Sequence, residues 1–149
     1  MTSILFVCLG NICRSPLAEG ICRARLEAAG LAGRVRVDSA GTGDWHVGKP
    51  PDPRSVAVAR AHGIDLTPLR ARQVSRRDFT RFEHILAMDA SNLSDLRALS
   101  PDKGGARLVR FLDRDVPDPY FGGPDGFEQV FAMLSDGVDV LLADLIERI

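Results

Sequence analysis

Only three cysteines occur in the 149 residues, and all lie within the first 22. An odd count confined to one end provides no disulfide framework to staple a fold. It points instead to thiol chemistry in a reducing compartment. Long apolar runs are missing too: none approaches the ~20 residues that cross a bilayer, and the N-terminus shows neither a basic region nor a cleavage motif. A cytoplasmic location with no membrane partner is the expectation. No basic block exists either, since 19 basic and 20 acidic residues mix along the chain for a net charge of −1. That argues against nucleic acid as the main partner. Internal repeats, low-complexity tracts and linkers are absent. With 45% hydrophobic residues, the chain is expected to fold as one domain over residues 1–149.

What is present alternates. Ser3 to Cys8, "SILFVC", is a nearly continuous apolar run, as in a strand buried on both faces of a parallel sheet. A loop from Leu9 to Arg14 follows. Ser15 is then placed as a helix N-cap and Pro16 as the first helical residue, with Leu17, Ile21, Ala24 and Ala28 at helical spacing and Gly30 as the stop. "RVRVDSA", Arg34 to Ala40, reads as a strand, and a Gly/Pro-rich loop from Gly41 to Pro53 leads to a helix ending near His62-Gly63. Glu83 to Met88 and Ala106 to Leu112 read as strands around a helix at Ser91 to Leu99. Phe127, Val130, Phe131, Leu134, Val138, Leu141, Leu142, Leu145 and Ile149 trace one face of a closing helix. The implied fold is α/β: three layers, α/β/α, with a four-stranded parallel sheet and helices on both faces. Ligands bind such sheets beyond the carboxyl ends of the strands, where Cys8 falls.

"FVCLGNICRSP", Phe6 to Pro16, concentrates the unusual residues. A zinc site needs about four ligands, yet Cys8 and Cys13 have no second pair downstream, and His46, His62 and His84 are scattered. No metal or other cofactor is expected. A thioredoxin-like redox motif needs two residues between its cysteines, where this stretch has four. An anion cradle fits better, because a loop entering a helix N-terminus can aim several N–H groups at one point, with the helix dipole behind them. Gly10 would allow a backbone conformation that other residues avoid, Asn11 tolerates the left-handed region, and Arg14 can close the ring with a bidentate guanidinium. Donors that hold a phosphate would also stabilise a thiolate, so Cys8 is expected to have a depressed pKa and act as a nucleophile. The competing reading of Cys8 is a buried thiol serving as a small hydrophobe. Cys22 shares a stripe with Ala18, Leu26 and Ala29 and reads as core.

A thiolate that attacks a phosphate ester needs an acid to protonate the leaving oxygen. In "DVPDPYFGG", Asp118 lies between Pro117 and Pro119, just after the last expected strand. It is the candidate acid, and a bound dianion nearby would raise its pKa. Pro-Asp-Pro is also ordinary turn chemistry, so a structural aspartate is the alternative.

These residues resemble the low-molecular-weight protein tyrosine phosphatases over nearly the whole chain. "CLGNICRSP" looks like the family's phosphate loop and "DPYF" like its acid loop, with "DSAGT", "DWHVG", "DPR", "HGI", "ARQV" and "MDASNL" in the family's order. The resemblance implies a metal-independent hydrolase acting on phosphotyrosine proteins or small aryl phosphates and releasing inorganic phosphate. By the same resemblance Cys8 is the nucleophile, Arg14 binds phosphate and Asp118 is the general acid and base. Leu9, Gly10, Asn11, Ile12, Cys13, Arg14 and Ser15 would form the phosphate cradle, with Ser15 assisting the thiolate. Asn11, Ser15, Ser39 and His62 would form the network that supports the loop, Asn11 being strained at its centre. Trp45 and Tyr120 would wall the substrate ring. The alternative for His62 is a solvated helix-end residue, and for Trp45 a core position. Cys13 resembles a second loop cysteine that pairs with the nucleophile on oxidation. The family's animal branch often has two adjacent tyrosines at the acid loop, whereas Tyr120, the only tyrosine of this chain, is followed by Phe121.

Three other functions compete. Thioredoxin-coupled arsenate reductases share the loop but relay electrons through downstream cysteines, and none exists beyond Cys22. Phosphoarginine phosphatases of the same family place threonine where this chain has Ile12; the apolar side chain favours an aryl ester over a guanidinium. A phosphate-sensing binding module would be expected to lack the nucleophile or the acid, and both are present.

Overall fold

In a computed structural model, whose described residues are 2–101 and 105–147, strand β1 (Thr2–Cys8) buries Ile4 to Val7 completely. Because strand side chains alternate, the run faces two different cores. Ile4, Phe6 and Cys8 meet one hydrophobic cluster, and Leu5 and Val7 meet the other. This double burial explains why the segment reads as continuously apolar. Strands β2 (Val35–Gly41), β3 (His84–Ala87) and β4 (Arg107–Arg110) complete a sheet of order β2-β1-β3-β4. Every pairing is parallel, with Cys8 opposite Gly41 and Phe6 opposite Leu86.

Helices α1 (Arg14–Ala28), α2 (Pro53–Ala61) and α5 (Pro124–Ile146) cover one face, contributing Leu17, Val58, Phe127 and Leu134 to its core. Helices α3 (Asp78–Arg81) and α4 (Ala90–Leu99) cover the other, through Phe79 and Leu96. The expected three-layer α/β/α arrangement is therefore present. Phe127, Val130, Phe131, Leu134, Val138, Leu142 and Leu145 of α5 are buried and Leu141 partly so; Ile149 lies outside the described residues. Among the described residues, no helix is long and apolar enough to cross a membrane.

Local details correct the sequence reading. Helix α1 begins two residues early, with Cys13 at the N-cap and no side-chain cap, so Ser15 is not a capping residue and Pro16 sits third in the helix. Pro16 is still tolerated there, because the N–H groups of the first turn have no intrahelical partner. The C-terminus follows expectation. Gly30 has φ +73°, and the N–H groups of Gly30 and Leu31 donate to Glu27 O (3.1 Å) and Leu26 O (2.8 Å), which is a Schellman closure. Ala18, Cys22 and Leu26 are buried as expected, but Ala28 and Ala29 are exposed at the end of the helix. The short helix α3 was not anticipated, nor was a bridge that pairs Gly41 with Gln73 beyond the β2 edge.

The sheet order fixes where a site can form. From β1 the chain crosses through α1 to β2 on one side, and from β3 it crosses through α4 to β4 on the other. The connections diverge between β1 and β3, opening a crevice at their carboxyl ends.

Candidate active site

Cys8 is the last residue of β1 and lies at that crevice. Its Sγ accepts a hydrogen bond from the Asn11 N–H (3.3 Å) and lies 3.0 Å from Ser15 Oγ. Asn11 is the one non-glycine residue with positive φ (56°) among the described residues. Asn11 is left-handed as expected, whereas Gly10 does not adopt positive φ, so the turn rests on Asn11 alone and the reading of Gly10 is corrected. A Cβ at Gly10 would instead approach His46 Cδ2 to 2.9 Å.

The Asn11 side chain holds this turn. The Arg72 N–H donates to its Oδ1 (3.0 Å), which orients the amide so that Nδ2 gives its two protons to Ser15 Oγ (2.8 Å) and Ser39 Oγ (2.9 Å). Ser39 in turn donates to Glu19 Oε1 (2.7 Å), whose other oxygen accepts from Arg23 (2.8 Å). Burial raises the Glu19 pKa, while the bonds from Ser39 and Arg23 oppose that rise. With Ser15 Oγ already accepting, its single proton has Cys8 Sγ at 3.0 Å and the Ala40 carbonyl at 3.4 Å. The shorter path runs to sulfur.

Asn11, Ser15 and Ser39 are thus brought together as expected, but His62 is not. It caps the end of α2, meets Glu128 Oε1 at 3.0 Å and stacks on Phe131 with ring centroids 4.1 Å apart. Glu19, one turn into α1 from Ser15, completes the network instead. The sequence signal was a charged residue on the buried face of a helix, which is rare without a partner.

Arg14 is 2% exposed despite its charge. Its Nη1 donates to Asp89 Oδ2 (2.6 Å) and to the Val116 carbonyl (3.0 Å), leaving the Nε–Nη2 edge unengaged by either. Burial works against the guanidinium, yet Cys8, Asp89 and Asp118 together raise its pKa. Asp89 follows the end of β3 and also caps α4 by accepting from the Asn92 N–H (2.7 Å). Its position beyond a strand end, shared with Cys8, was the available signal for a role that the sequence reading missed.

Asp118 approaches from the loop after β4. Its Oδ2 lies 3.6 Å from Arg14 Nη2, and its Oδ1 accepts from the Tyr120 N–H (3.1 Å). It is 35% exposed, at the mouth of a pocket whose floor holds Cys8, Arg14, Ile12 and Cys13. Burial, followed by the charges of Asp52 and Cys8, pushes the Cys13 thiol up to about 12, so it is a neutral thiol. Burial pushes Cys22 up to about 12 as well, in keeping with a core role. All three cysteines are unpaired.

Trp45 and Tyr120 stand at the pocket rim as expected, joined by Leu9, His46 and Phe121. Trp45 is 65% exposed and so is no core residue. Tyr120 is braced by Arg54, whose guanidinium lies 5.4 Å from its ring centre, and by Phe121 in an edge contact at 4.9 Å. The loop after β2 lies on the loop that follows β1: the Thr42 N–H donates to Cys8 O and the Gly43 N–H to Leu9 O, both at 2.9 Å. Gly41 permits that approach, since a Cβ there would stand 2.8 Å from Leu9 O and 3.1 Å from Asn11 N.

Comparison with known proteins agrees with this geometry. Residues 3–148 match the family model described as low molecular weight phosphotyrosine protein phosphatase. The low molecular weight protein-tyrosine-phosphatase YfkJ of Bacillus subtilis is 44% identical over 97% of this chain and 96% of its own. A protein tyrosine phosphatase from Entamoeba histolytica, solved with Hepes in its active site, superposes with TM-score 0.94 at 35% identity, covering 99% of this chain and 98% of that one. A Drosophila arginine phosphatase superposes with TM-score 0.89 at 32% identity over 97% and 98%. A cysteine at a strand end, a helix starting at Arg14 and a loop bringing Asp118 beside that arginine are thus set in a sequence matched nearly end to end, and the chain belongs to the low molecular weight phosphotyrosine protein phosphatase family of hydrolases.

Proposed function

We propose that the protein hydrolyses phosphotyrosine and related aryl phosphate monoesters through a phospho-cysteine on Cys8. The observation that carries this is the convergence on Cys8 Sγ of the Asn11 N–H and the Ser15 hydroxyl, at the base of a pocket bearing both Arg14 and Asp118. The dianion sits in the loop Leu9 to Ser15, against the α1 N-terminus and the Nε–Nη2 edge of Arg14. Cys8 thiolate attacks phosphorus in line, an S–P bond forms, and the P–O bond to the aryl group breaks. Asp118 gives its proton to the departing phenolate. Asp118 then takes a proton from water, whose oxygen attacks phosphorus; the S–P bond breaks, restoring the thiolate and releasing inorganic phosphate.

Ile12 supports the aryl reading over the phosphoarginine one, since it adds apolar surface to the pocket lining where a guanidinium would want a polar partner. Phosphotyrosine, phosphoserine and phosphoarginine peptides assayed side by side decide the leaving group, with phosphotyrosine expected to be turned over fastest. The assay is expected to be unaffected by EDTA. Asp118→Ala is expected to lower kcat about 10²- to 10⁴-fold for phosphotyrosine, the usual worth of a positioned acid. The loss should shrink for aryl leaving groups of low pKa, which depart without a proton. An equal loss for every leaving group would remove Asp118 from the acid role.

Cys13 is the proposed redox partner. Peroxide oxidises Cys8 to the sulfenic acid; the Cys13 thiol then displaces water to form the Cys8–Cys13 disulfide, which a thiol reductant reopens. Wild type is expected to recover from peroxide on reduction and Cys13→Ser to recover much less. Equal recovery of the two would discard this role.

A further inference from the structure

We infer that Gly43, by having no side chain, sets the position of the Trp45 ring and thereby tunes binding of the aryl group without touching the phosphate. A Cβ built on Gly43 would stand 1.9 Å from Trp45 Cζ3, 2.3 Å from Cε3 and 2.7 Å from Cη2. The benzenoid half of the indole therefore lies directly on the Gly43 backbone. That backbone cannot recede, because its N–H is bound to the Leu9 carbonyl of the phosphate loop at 2.9 Å. Gly43 is not among the glycines with positive φ, so the chain path does not itself demand glycine here. The packed ring supplies the demand.

Which partner yields to a methyl group follows from burial. Trp45 is 65% exposed, so its ring can swing outward at little cost in packing, whereas the loop beneath it is tied down. A side chain at position 43 would leave the fold and the phosphate loop in place and move one wall of the slot. Gly43 is thus a positioning residue for Trp45. Tyr120, the facing wall, is held independently by Arg54 and Phe121.

This inference rests on the aryl phosphatase reading, and its test separates the two. Gly43→Ala is expected to raise KM for a phosphotyrosine peptide about three- to tenfold, the size of one lost aromatic contact. It should leave kcat and the inhibition constant of inorganic phosphate unchanged, the pattern of lost uniform binding. Trp45 is the only tryptophan, so its emission spectrum and anisotropy report the ring directly and are expected to change in Gly43→Ala. In a Trp45→Ala background, where no ring remains to clash, adding Gly43→Ala should have no further effect on KM. Unchanged KM with unchanged emission, or a KM shift that persists in the Trp45→Ala background, overturns the inference. Failure of wild type to hydrolyse any aryl phosphate overturns the reading of the site instead, and the emission change still decides whether Gly43 holds the ring.

Discussion

Serine in place of Cys8 is expected to abolish aryl phosphate turnover, by about 10⁴-fold or more, as when the nucleophile of a concerted constellation is removed. The exchange swaps one small buried atom for another, so stability should stay within about 1 kcal/mol of wild type. The chemistry does not survive it. A hydroxyl holds its proton far above neutral pH, and the Asn11 N–H and Ser15 hydroxyl that converge on position 8 include no base to remove it. Arg14 remains anchored on Asp89 and Val116, so the variant should still bind inorganic phosphate. Steady-state hydrolysis and calorimetric titration with inorganic phosphate check both halves. Turnover in Cys8→Ser comparable with wild type would remove the phospho-cysteine mechanism.

The second large effect is expected at Arg14. Arg14→Lys keeps the charge but loses the plane: one ammonium replaces a fork whose Nη1 serves Asp89 and Val116 while the opposite edge faces the pocket. The lysine can neutralise Asp89 or reach toward the dianion, and it cannot do both in line. A loss of about 10²- to 10³-fold in kcat/KM is expected, the usual cost of removing one preorganised transition-state donor. Because the charge stays paired with Asp89, the melting temperature should fall far less in Arg14→Lys than in Arg14→Ala, which leaves Asp89 without its partner. A kcat/KM within tenfold of wild type for Arg14→Lys would show that charge alone suffices there.

The parts of the molecule written in local pattern were legible. Continuous apolar sequence marked β1 because both its faces are covered, and Gly30 marked the end of α1 because a Schellman closure favours glycine. That Cys8, Arg14 and Asp118 meet in one pocket was legible because the fold class opens its crevice beyond strand ends. Misreadings arose where a side chain chooses a distant partner over a near one. Ser15 has the composition of a cap, yet its hydroxyl is taken by Asn11 and Cys8, so the cap is forgone. His62 follows a helix as a loop-supporting residue might, yet Glu128 and Phe131, on a helix far along the chain, turn it outward. Asp89 is marked for its bond to Arg14 only by its place beyond a strand end, a signal obscured because capping α4 accounts for an aspartate there by itself.

The anchoring of Arg14 also bears on how the protein comes to be active during folding. Asp89 and the Val116 carbonyl lie 75 and 102 positions from Arg14 along the chain. Contacts that close loops of this length are gained only with most of the topology in place. A chain in which only β1, α1 and β2 have paired would carry Cys8 on a loop still lacking the Arg72 bond to Asn11, and its arginine would have no fixed direction. Recovery of catalysis after dilution from denaturant should therefore lag recovery of helical signal, and a chain stalled midway would be silent toward phosphoproteins rather than indiscriminate.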